Sequence, residues 1–340
     1  MSTEIAPPRP AERTGKFKSW AIIAATNFAS VLFLWLALRD ADFTRIWGEM
    51  RHLHWRWVCL AAIAQVSVFL LHGWRWKLLL RPVANVPFSY CLEAVYVGLF
   101  ASEVLPLRAG ELIRCFLLSR ESEVPLSVTF ASALIERIFD GIWLIFGFVF
   151  CVQVVHLRPW VRDAGYGLGV FVVICGAILA YAMYARKQSL GMVFGWKWPR
   201  WFNTLIDDLH LIGHSRYLYF SFLISGGFML AQTVPIYLLM SGSNLHVPWQ
   251  ASVTLTVLLR LASAPPQAPG NLGLFQLASS QTLHAFRVGT AHAKRFSMIL
   301  WAVLTLPLIL IGALALAISG INITHLHRDA TAAAQDRRRS

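Results

Sequence analysis

Long apolar segments alternate with short polar ones along most of this 340-residue chain. A helix needs about 20 apolar residues to cross the roughly 30 Å hydrocarbon core of a bilayer. The pattern therefore predicts an all-α integral membrane protein with six to eight transmembrane helices. The apolar segments from which we predict spans are residues 20–38, 57–80, 125–155, 165–184, 217–240 and 296–319.

Two further apolar regions are too short or too interrupted for simple spans. Residues 88–107 contain two glutamates and run into a proline, and an amphipathic stretch, 111–120, follows. Residues 251–264 are followed by "PPQAPGNLG", which contains three prolines and two glycines and cannot be regular helix. Irregular backbone at membrane depth is tolerated inside protein or along a water-filled cavity. These regions predict one or two re-entrant or broken hairpins, and a turn outside the membrane is the alternative for the second.

The two interrupted regions share a Pro-x-x-x-Gly-x-Leu frame, at residues 106–112 and 266–272. Six full spans with two hairpins or eight spans with one hairpin both agree with the pattern. With two hairpins, the shared frames enter the membrane from opposite faces. Many transporters build a site near the bilayer midplane from such inverted, broken helices. A chance match of three residues is the alternative.

Composition supports the membrane assignment and sets an orientation. The chain is 57% hydrophobic and 14% charged, with a mean hydropathy of +0.57 and a net charge of +13. Lys and Arg gather in short loops and tails, which predicts cytoplasmic termini in an inner or plasma membrane. Trp74 to Lys77 predict an interface anchor at one span end. We predict a cytoplasmic tail (1–19), a membrane domain (20–320) and a basic tail (321–340).

Several kinds of partner are not expected. Because no basic domain lies outside the spans, we predict no nucleic-acid binding. The five cysteines are scattered through apolar sequence without a close pair. We therefore predict no metal site and no other cofactor.

The segment "SEVLPLRAGELIRCFLLSRE" places ionisable side chains between membrane-grade apolar stretches. Such groups are costly at membrane depth unless they are paired or reach water, and they usually face an interior cavity. Arg108, Glu111 and Arg114 are spaced by three, so a helix that begins near Gly110 places Glu111 and Arg114 on one face. The N-terminus of that helix and two guanidinium groups predict an anion site suited to a phosphate.

A second charged group lies in "ALIERIFDGIW". Glu136 and Asp140 share a helix face with Arg137 beside them, and two carboxylates on one face require a cation. Arg108 and Arg114 are the candidate partners, which predicts a buried network with net positive character left for a lipid headgroup. The alternative for the first segment is a solvated loop at the membrane surface without any site.

Three segments in this order, "LPLRAGELIRCFLLSR", "SALIERIFDGIWL" and "APPQAPGNLGLFQ", resemble the lysylphosphatidylglycerol synthase transmembrane-region family. This chain differs from the family's pattern at Asn271, where a second glycine is common, and at Gln276, where an acid is common. The second difference argues against an ion-coupled role for that hairpin. The residues that the resemblance implies as substrate-binding are Arg108, Gly110, Glu111, Arg114, Glu136, Arg137, Asp140, Pro269, Gly270, Asn271 and Gly273.

The resemblance implies a flippase-like domain that moves polar-headed lipids between leaflets, with the phosphate held by Arg108 and Arg114. Phospholipid, aminoacyl-lipid, glycolipid and hopanoid are the candidate substrates, and a lipid-modifying enzyme is a candidate partner. The alternatives are a membrane-embedded glycosyl- or other lipid transferase, in which paired acids serve as general base, and a non-catalytic scaffold. The sequence shows no catalytic triad or aminoacyl-transferase domain, so we do not expect an enzyme.

Overall fold

The computed structural model describes residues 54–104, 110–155, 159–184, 200–245, 247–264 and 273–319. Within these ranges the chain is helical and contains no strand, which confirms the all-α prediction. The helices are α1 (Trp55–Leu80), α2 (Phe88–Val104), α3 (Gly110–Ser122), α4 (Leu126–Val154), α5 (Pro159–Tyr184), α6 (Arg200–Gly213), α7 (Arg216–Ala231), α8 (Thr233–Gly242), α9 (Trp249–Ala262), α10 (Leu274–Ala285) and α11 (Thr290–Ser319).

Most of the predicted spans are present as long helices. Within the described ranges, four stretches are long and apolar enough to cross a membrane: Trp55–Leu80, Pro159–Tyr181, Arg216–Gly242 and Thr290–Ile318. α4, with 29 residues, also exceeds the length needed, and it carries three charged residues near its middle. The predicted first span, 20–38, lies outside the described residues, as do the two tails.

The predicted span at 217–240 is two helices, α7 and α8, which meet at Gln232. Pro235 has no amide hydrogen for the carbonyl of Ala231, and its ring crowds that carbonyl. A continuous helix is therefore interrupted one turn before the proline. The predicted span is confirmed as the stretch Arg216–Gly242, and the break at Gln232 divides it into two helices, which the sequence did not predict.

The helices define two opposite faces of the bundle, which we call the Trp55 face and the Leu80 face after the ends of α1. The backbone N–H of His54 donates to the carbonyl of Gly242 at 3.2 Å, so α8 ends at the Trp55 face. The guanidinium of Arg81 lies 4.9 Å from the ring centre of Tyr217, so α7 begins at the Leu80 face. α1, α4, α5, the α7–α8 pair and α11 run between these faces.

Two hairpins enter the bundle from opposite faces. α2 and α3 form the first hairpin, whose open end packs at the Leu80 face through Val86 and Val124. α9 and α10 form the second hairpin, and Ala251 and Leu283 pack against Val58 at the Trp55 face. α9 and α10 have 14 and 12 residues, or roughly 20 Å each, which is shorter than the hydrocarbon core. The described residues thus agree with the two-hairpin alternative.

The arms of the first hairpin cross at Gly98 and Gly110. A Cβ atom placed on Gly110 would collide with the carbonyl oxygen of Gly98 and with Ser102. A Cβ on Gly98 would come within 2.8 Å of the Cβ of Arg114. Only glycine at these positions allows the two arms to approach this closely.

We expect Gly110→Ala to lower the free energy of unfolding by about 1–3 kcal/mol, because the added methyl group overpacks the crossing. Thermal unfolding of the purified protein in detergent measures this effect. Gly167→Ala is the matched control, because a Cβ there meets no atom within 4 Å. Equal unfolding temperatures for the two variants would contradict the close crossing.

Candidate functional site

A cluster of charged side chains lies at mid-depth of the bundle, between α1, the first hairpin and α4. Glu136 is ten residues from the Leu80-face end of α4, or about 15 Å along a helix of roughly 43 Å. Arg75 and Glu136 have no exposed side-chain surface, and Arg114 and Asp140 are nearly as buried. The alternative of a solvated surface loop at residues 108–121 is therefore wrong for Arg114. The charge cluster comprises His72, Arg75, Glu111, Arg114, Glu136, Arg137 and Asp140.

Arg75 links three helices through one guanidinium group. Its Nε donates to Oε1 of Glu136 at 3.1 Å. Its Nη1 donates to Oδ1 of Asp140 and, at 3.0 Å, to Oγ of Ser225. The fixed fork of N–H donors in arginine suits this arrangement, which ties α1 to α4 and α7.

Arg114 makes the corresponding link from the first hairpin. Its Nη2 lies 2.6 Å from Oε2 of Glu136 and 3.0 Å from Oε2 of Glu111. The guanidinium carbon is 4.7 Å from the ring centre of Trp76, a cation–π distance. Each oxygen of Glu136 thus faces a different arginine, and this one carboxylate bridges Arg75 and Arg114.

The cluster opens at one edge, formed by Glu111 and Arg137. Nη2 of Arg137 lies 3.3 Å from Oε1 of Glu111 and 3.7 Å from Oδ2 of Asp140. The two side chains of the edge are 43% and 47% exposed, whereas the rest of the cluster is buried. We call this pair the Glu111–Arg137 edge, and it is the accessible part of the site.

The formal charges of the cluster balance. Three arginines face three carboxylates, so the formal charges sum to zero when His72 is counted as neutral. The net positive character that the sequence suggested included Arg108, which lies outside the described residues, and it stays a prediction. The described cluster by itself is neutral. The reason is that every buried guanidinium has a carboxylate within contact distance, as expected for ions removed from water.

His72 lies between the two buried arginines. Its Nε2 is 2.5 Å from Nη1 of Arg114, and its Nδ1 is 3.3 Å from Nη2 of Arg75. A neutral imidazole accepts a hydrogen bond at only one nitrogen, so only one of these contacts is a hydrogen bond at any time. The ring also packs edge-to-face on Phe228, with ring centres 5.2 Å apart.

The second hairpin reaches the cluster through Arg260, two residues before the end of α9. Nε of Arg260 donates to Oε1 of Gln232 at 2.9 Å, at the break between α7 and α8. The guanidinium lies 5.4 Å from the ring centre of Phe228 and interacts electrostatically with Asp140. Residues near the tips of both hairpins therefore meet at the cluster, as in transporter sites built from opposed broken helices.

The structure brings together five of the predicted site residues: Glu111, Arg114, Glu136, Arg137 and Asp140. Gly110 lies at the crossing of the hairpin arms, where it permits close packing. Arg108, Pro269, Gly270 and Asn271 lie outside the described residues, and their roles stay predictions.

Gly273 is described, and it begins α10 with a φ of 90°, a conformation that glycine adopts readily. Its N–H donates to Oε1 of Gln276 at 2.7 Å, and that glutamine is 2% exposed. Gln276 therefore caps the start of its own helix. An amide oxygen serves this purpose as a carboxylate would, so the residue that differs from the family's pattern keeps a structural role.

Arg75 and His72 were not predicted as site residues. The Trp-Arg-Trp-Lys sequence indicated an interface anchor, but Arg75 and Trp76 are buried while Trp74 is exposed. Helical spacing is the sequence signal that could have identified both residues, because the buried positions of α1 follow one face of the helix, at 65, 68, 72, 75, 76 and 79. The anchor interpretation is therefore wrong for Arg75 and Trp76.

These features define a class of protein: a polytopic α-helical membrane protein with two opposed hairpins and a charge cluster at mid-depth. The model of the lysylphosphatidylglycerol synthase TM region family matches residues 20–313, and the chain belongs to that family.

Two curated relatives match part of the chain, and both are described as UPF0104 membrane proteins. The one from Methanocaldococcus jannaschii is 25% identical over 126 residues, which is 36% of this chain and 38% of the relative. The one from Methanothermobacter thermautotrophicus is 24% identical over 136 residues, 39% of this chain and 38% of the relative. The matched region thus spans less than two fifths of each relative's length.

Proposed function

We propose that this protein moves a polar-headed lipid between the leaflets of the membrane, with the headgroup bound at the Glu111–Arg137 edge. The observation that carries this proposal is the paired charge cluster at mid-depth of a membrane bundle. Ionisable groups at that depth are costly and are typical of pathways for polar substrates. The two opposed hairpins support the same conclusion, and so does membership of a family named after the membrane region of a lipid synthase.

The phosphate-binding role suggested for Arg114 passes to Arg137 in this proposal. Both Nη atoms of Arg114 already face Glu111, Glu136 or His72, and breaking such a buried pair is strongly unfavourable. Arg137 is half exposed, so its contact with Glu111 is one that a ligand can reach. A lipid phosphate can therefore replace Glu111 at Arg137, and Glu111 keeps its contact with Arg114.

The buried part of the cluster holds the site in shape. Arg75 and Glu136 join α1, α4 and α7, and Arg114 fixes the first hairpin to them.

We also propose that both termini are cytoplasmic, in an inner or plasma membrane. The Leu80 face, where α11 ends, then faces the cytoplasm, and the first hairpin enters from that side.

Lipid scrambling in proteoliposomes tests the function. The purified protein is reconstituted with NBD-labelled phosphatidylglycerol or phosphatidylethanolamine, and dithionite reports the label that reaches the outer leaflet. We expect transport by the wild type and a rate at least tenfold lower for Arg137→Gln, because the accessible guanidinium is lost. Arg120→Gln, which changes an exposed arginine near the end of α3 outside the charge cluster, is the matched control and is expected to keep the wild-type rate.

Two outcomes would contradict the proposal. One is a wild-type rate equal to that of protein-free liposomes for every lipid tested, including a glycolipid. The other is an unchanged rate for Arg137→Gln when the protein is folded and incorporated normally.

A further inference from the structure

A groove with a volume of about 600 Å³ lies between α5 and the second hairpin. We call it the hairpin groove. Its walls are mostly apolar, and its size is within the range of about 300–1,000 Å³ that is common for ligand sites. The main wall residues are Ala164 and Leu168 of α5, Leu258 and Leu261 of α9, and Leu277 and Ala278 of α10.

The groove runs from the Trp55 face towards the break in the second hairpin. Along α10 its lining extends from Leu274, at the break, to Ala285, at the open end of the hairpin, or roughly 16 Å. Trp160, Gln281 and His284 lie towards the Trp55-face end and are exposed. Tryptophan is typical of the membrane–water interface. The groove therefore has a polar mouth at the interface and an apolar inner end.

The segments that form the mouth also carry positive charge. Arg162 follows Trp160 by two residues in α5, and Arg287 follows His284 by three residues. Both arginines are exposed. Arg162 pairs with Asp163 at 3.5 Å, so the positive charge near the mouth rests on Arg287. This charge and the ring of Trp160, beside an apolar channel, match the two ends of a phospholipid.

Hydrocarbon is the occupant that fits the inner part. An empty apolar cavity is destabilising in proportion to its volume, and water is not stable where it finds no polar partners. The neighbouring surface of α5 exposes Phe171, Ile174 and Ile178, so the groove borders the hydrocarbon of the bilayer. A lipid chain can enter from there without crossing a polar barrier.

The inner end of the groove also lies beside the charge cluster. Leu261 lines the groove, and the preceding residue, Arg260, contacts Gln232 and Phe228 next to Asp140. We propose that the hairpin groove holds one hydrocarbon chain of the lipid substrate, with the headgroup at the mouth before it moves to the cluster. This inference rests on the proposed function, because that function makes the bound lipid a substrate.

Photocrosslinking tests the inference. Proteoliposomes contain a phosphatidylglycerol with a diazirine near the end of one acyl chain, and labelled peptides are identified by mass spectrometry. We expect labels in the groove-lining parts of α5 and α10. Ala278→Trp fills the groove and is expected to reduce this labelling at least fivefold, and Ala164→Trp fills it from the opposite wall. Ile174→Trp, on the lipid-facing surface of α5, is the matched control and leaves the groove labels unchanged.

Transport measured on the same samples separates this inference from the proposed function. Slower lipid movement in both groove-filling variants, with wild-type unfolding temperatures, supports the inference. Reduced labelling with wild-type transport overturns it and leaves the proposed function intact, because the groove then holds a structural lipid. Labels confined to the outer surface of α5 overturn it as well. If the groove of the wild-type protein is labelled but the wild type moves no lipid, the proposed function and the inference are both overturned.

Discussion

Replacing Glu136 by glutamine is expected to lower the free energy of unfolding by about 3–5 kcal/mol, the usual cost of removing one partner from a buried ion pair. Each oxygen of Glu136 faces a different arginine, at 3.1 and 2.6 Å. The amide of glutamine has the same shape but no negative charge, and its NH₂ group places a donor against the N–H donors of one of the two arginines. Arg75 and Arg114 then stay buried without the carboxylate that they share.

The amount of folded, monodisperse protein after detergent extraction and the unfolding temperature measure this effect. Asp163→Asn is the matched control, because that carboxylate is exposed and its loss costs little. If Glu136→Gln unfolds at the wild-type temperature, Glu136 does not hold the two arginines in place.

Arg75→Lys is expected to destabilise the protein although the charge is kept. The guanidinium donates to Glu136, Asp140 and Ser225, on two different helices, through nitrogens fixed in one plane. An ammonium group is a single point and cannot reach all three acceptors. Each hydrogen bond to a charged group that is lost costs about 1.5–3 kcal/mol.

Thermal unfolding of Arg75→Lys, compared with Arg81→Lys at the end of α1, measures this loss. Arg81 packs over Tyr217 at the Leu80 face, outside the cluster, so its replacement by lysine is expected to have a small effect. A double-mutant cycle with Asp140→Asn isolates the contact between α1 and α4. Zero coupling between the two positions would argue against the pairing seen in the structure.

The sequence predicted much of the fold because bilayer physics constrains it strongly. Apolar segments of spanning length can cross only as helices, and they appear as α1, α4, α5 and α11. The prolines and glycines after residue 104 and after residue 264 correctly marked two interrupted regions. The break between α7 and α8 was not predicted, because Pro235 lies in an otherwise apolar run that also suits a continuous helix.

The site was predictable only in part, for a different physical reason. The pairing of Arg114 with Glu136 joins residues 22 apart, and the spacing of charges suggested it. The pairing of Arg75 with Glu136 joins residues 61 apart and depends on how α1 packs against α4. No local pattern specifies that packing. The flanking tryptophans and Lys77 also made Arg75 resemble a residue at the membrane surface.

The cluster therefore combines two kinds of ion pair with different consequences. The inner pairs are buried and mutually neutralised, and they fix three helices and one hairpin around a polar centre. The Glu111–Arg137 edge is accessible, so its pairing can be exchanged for that of a ligand. We therefore propose that the buried residues stabilise the fold and that the Glu111–Arg137 edge contacts the lipid.

The most direct test of this division is to measure the scrambling rate and the unfolding temperature of Arg137→Gln on the same preparation. We expect an unfolding temperature close to that of the wild type and a scrambling rate at least tenfold lower. A variant that unfolds at a much lower temperature, or one that moves lipid at the wild-type rate, would contradict the assignment of the headgroup to the Glu111–Arg137 edge.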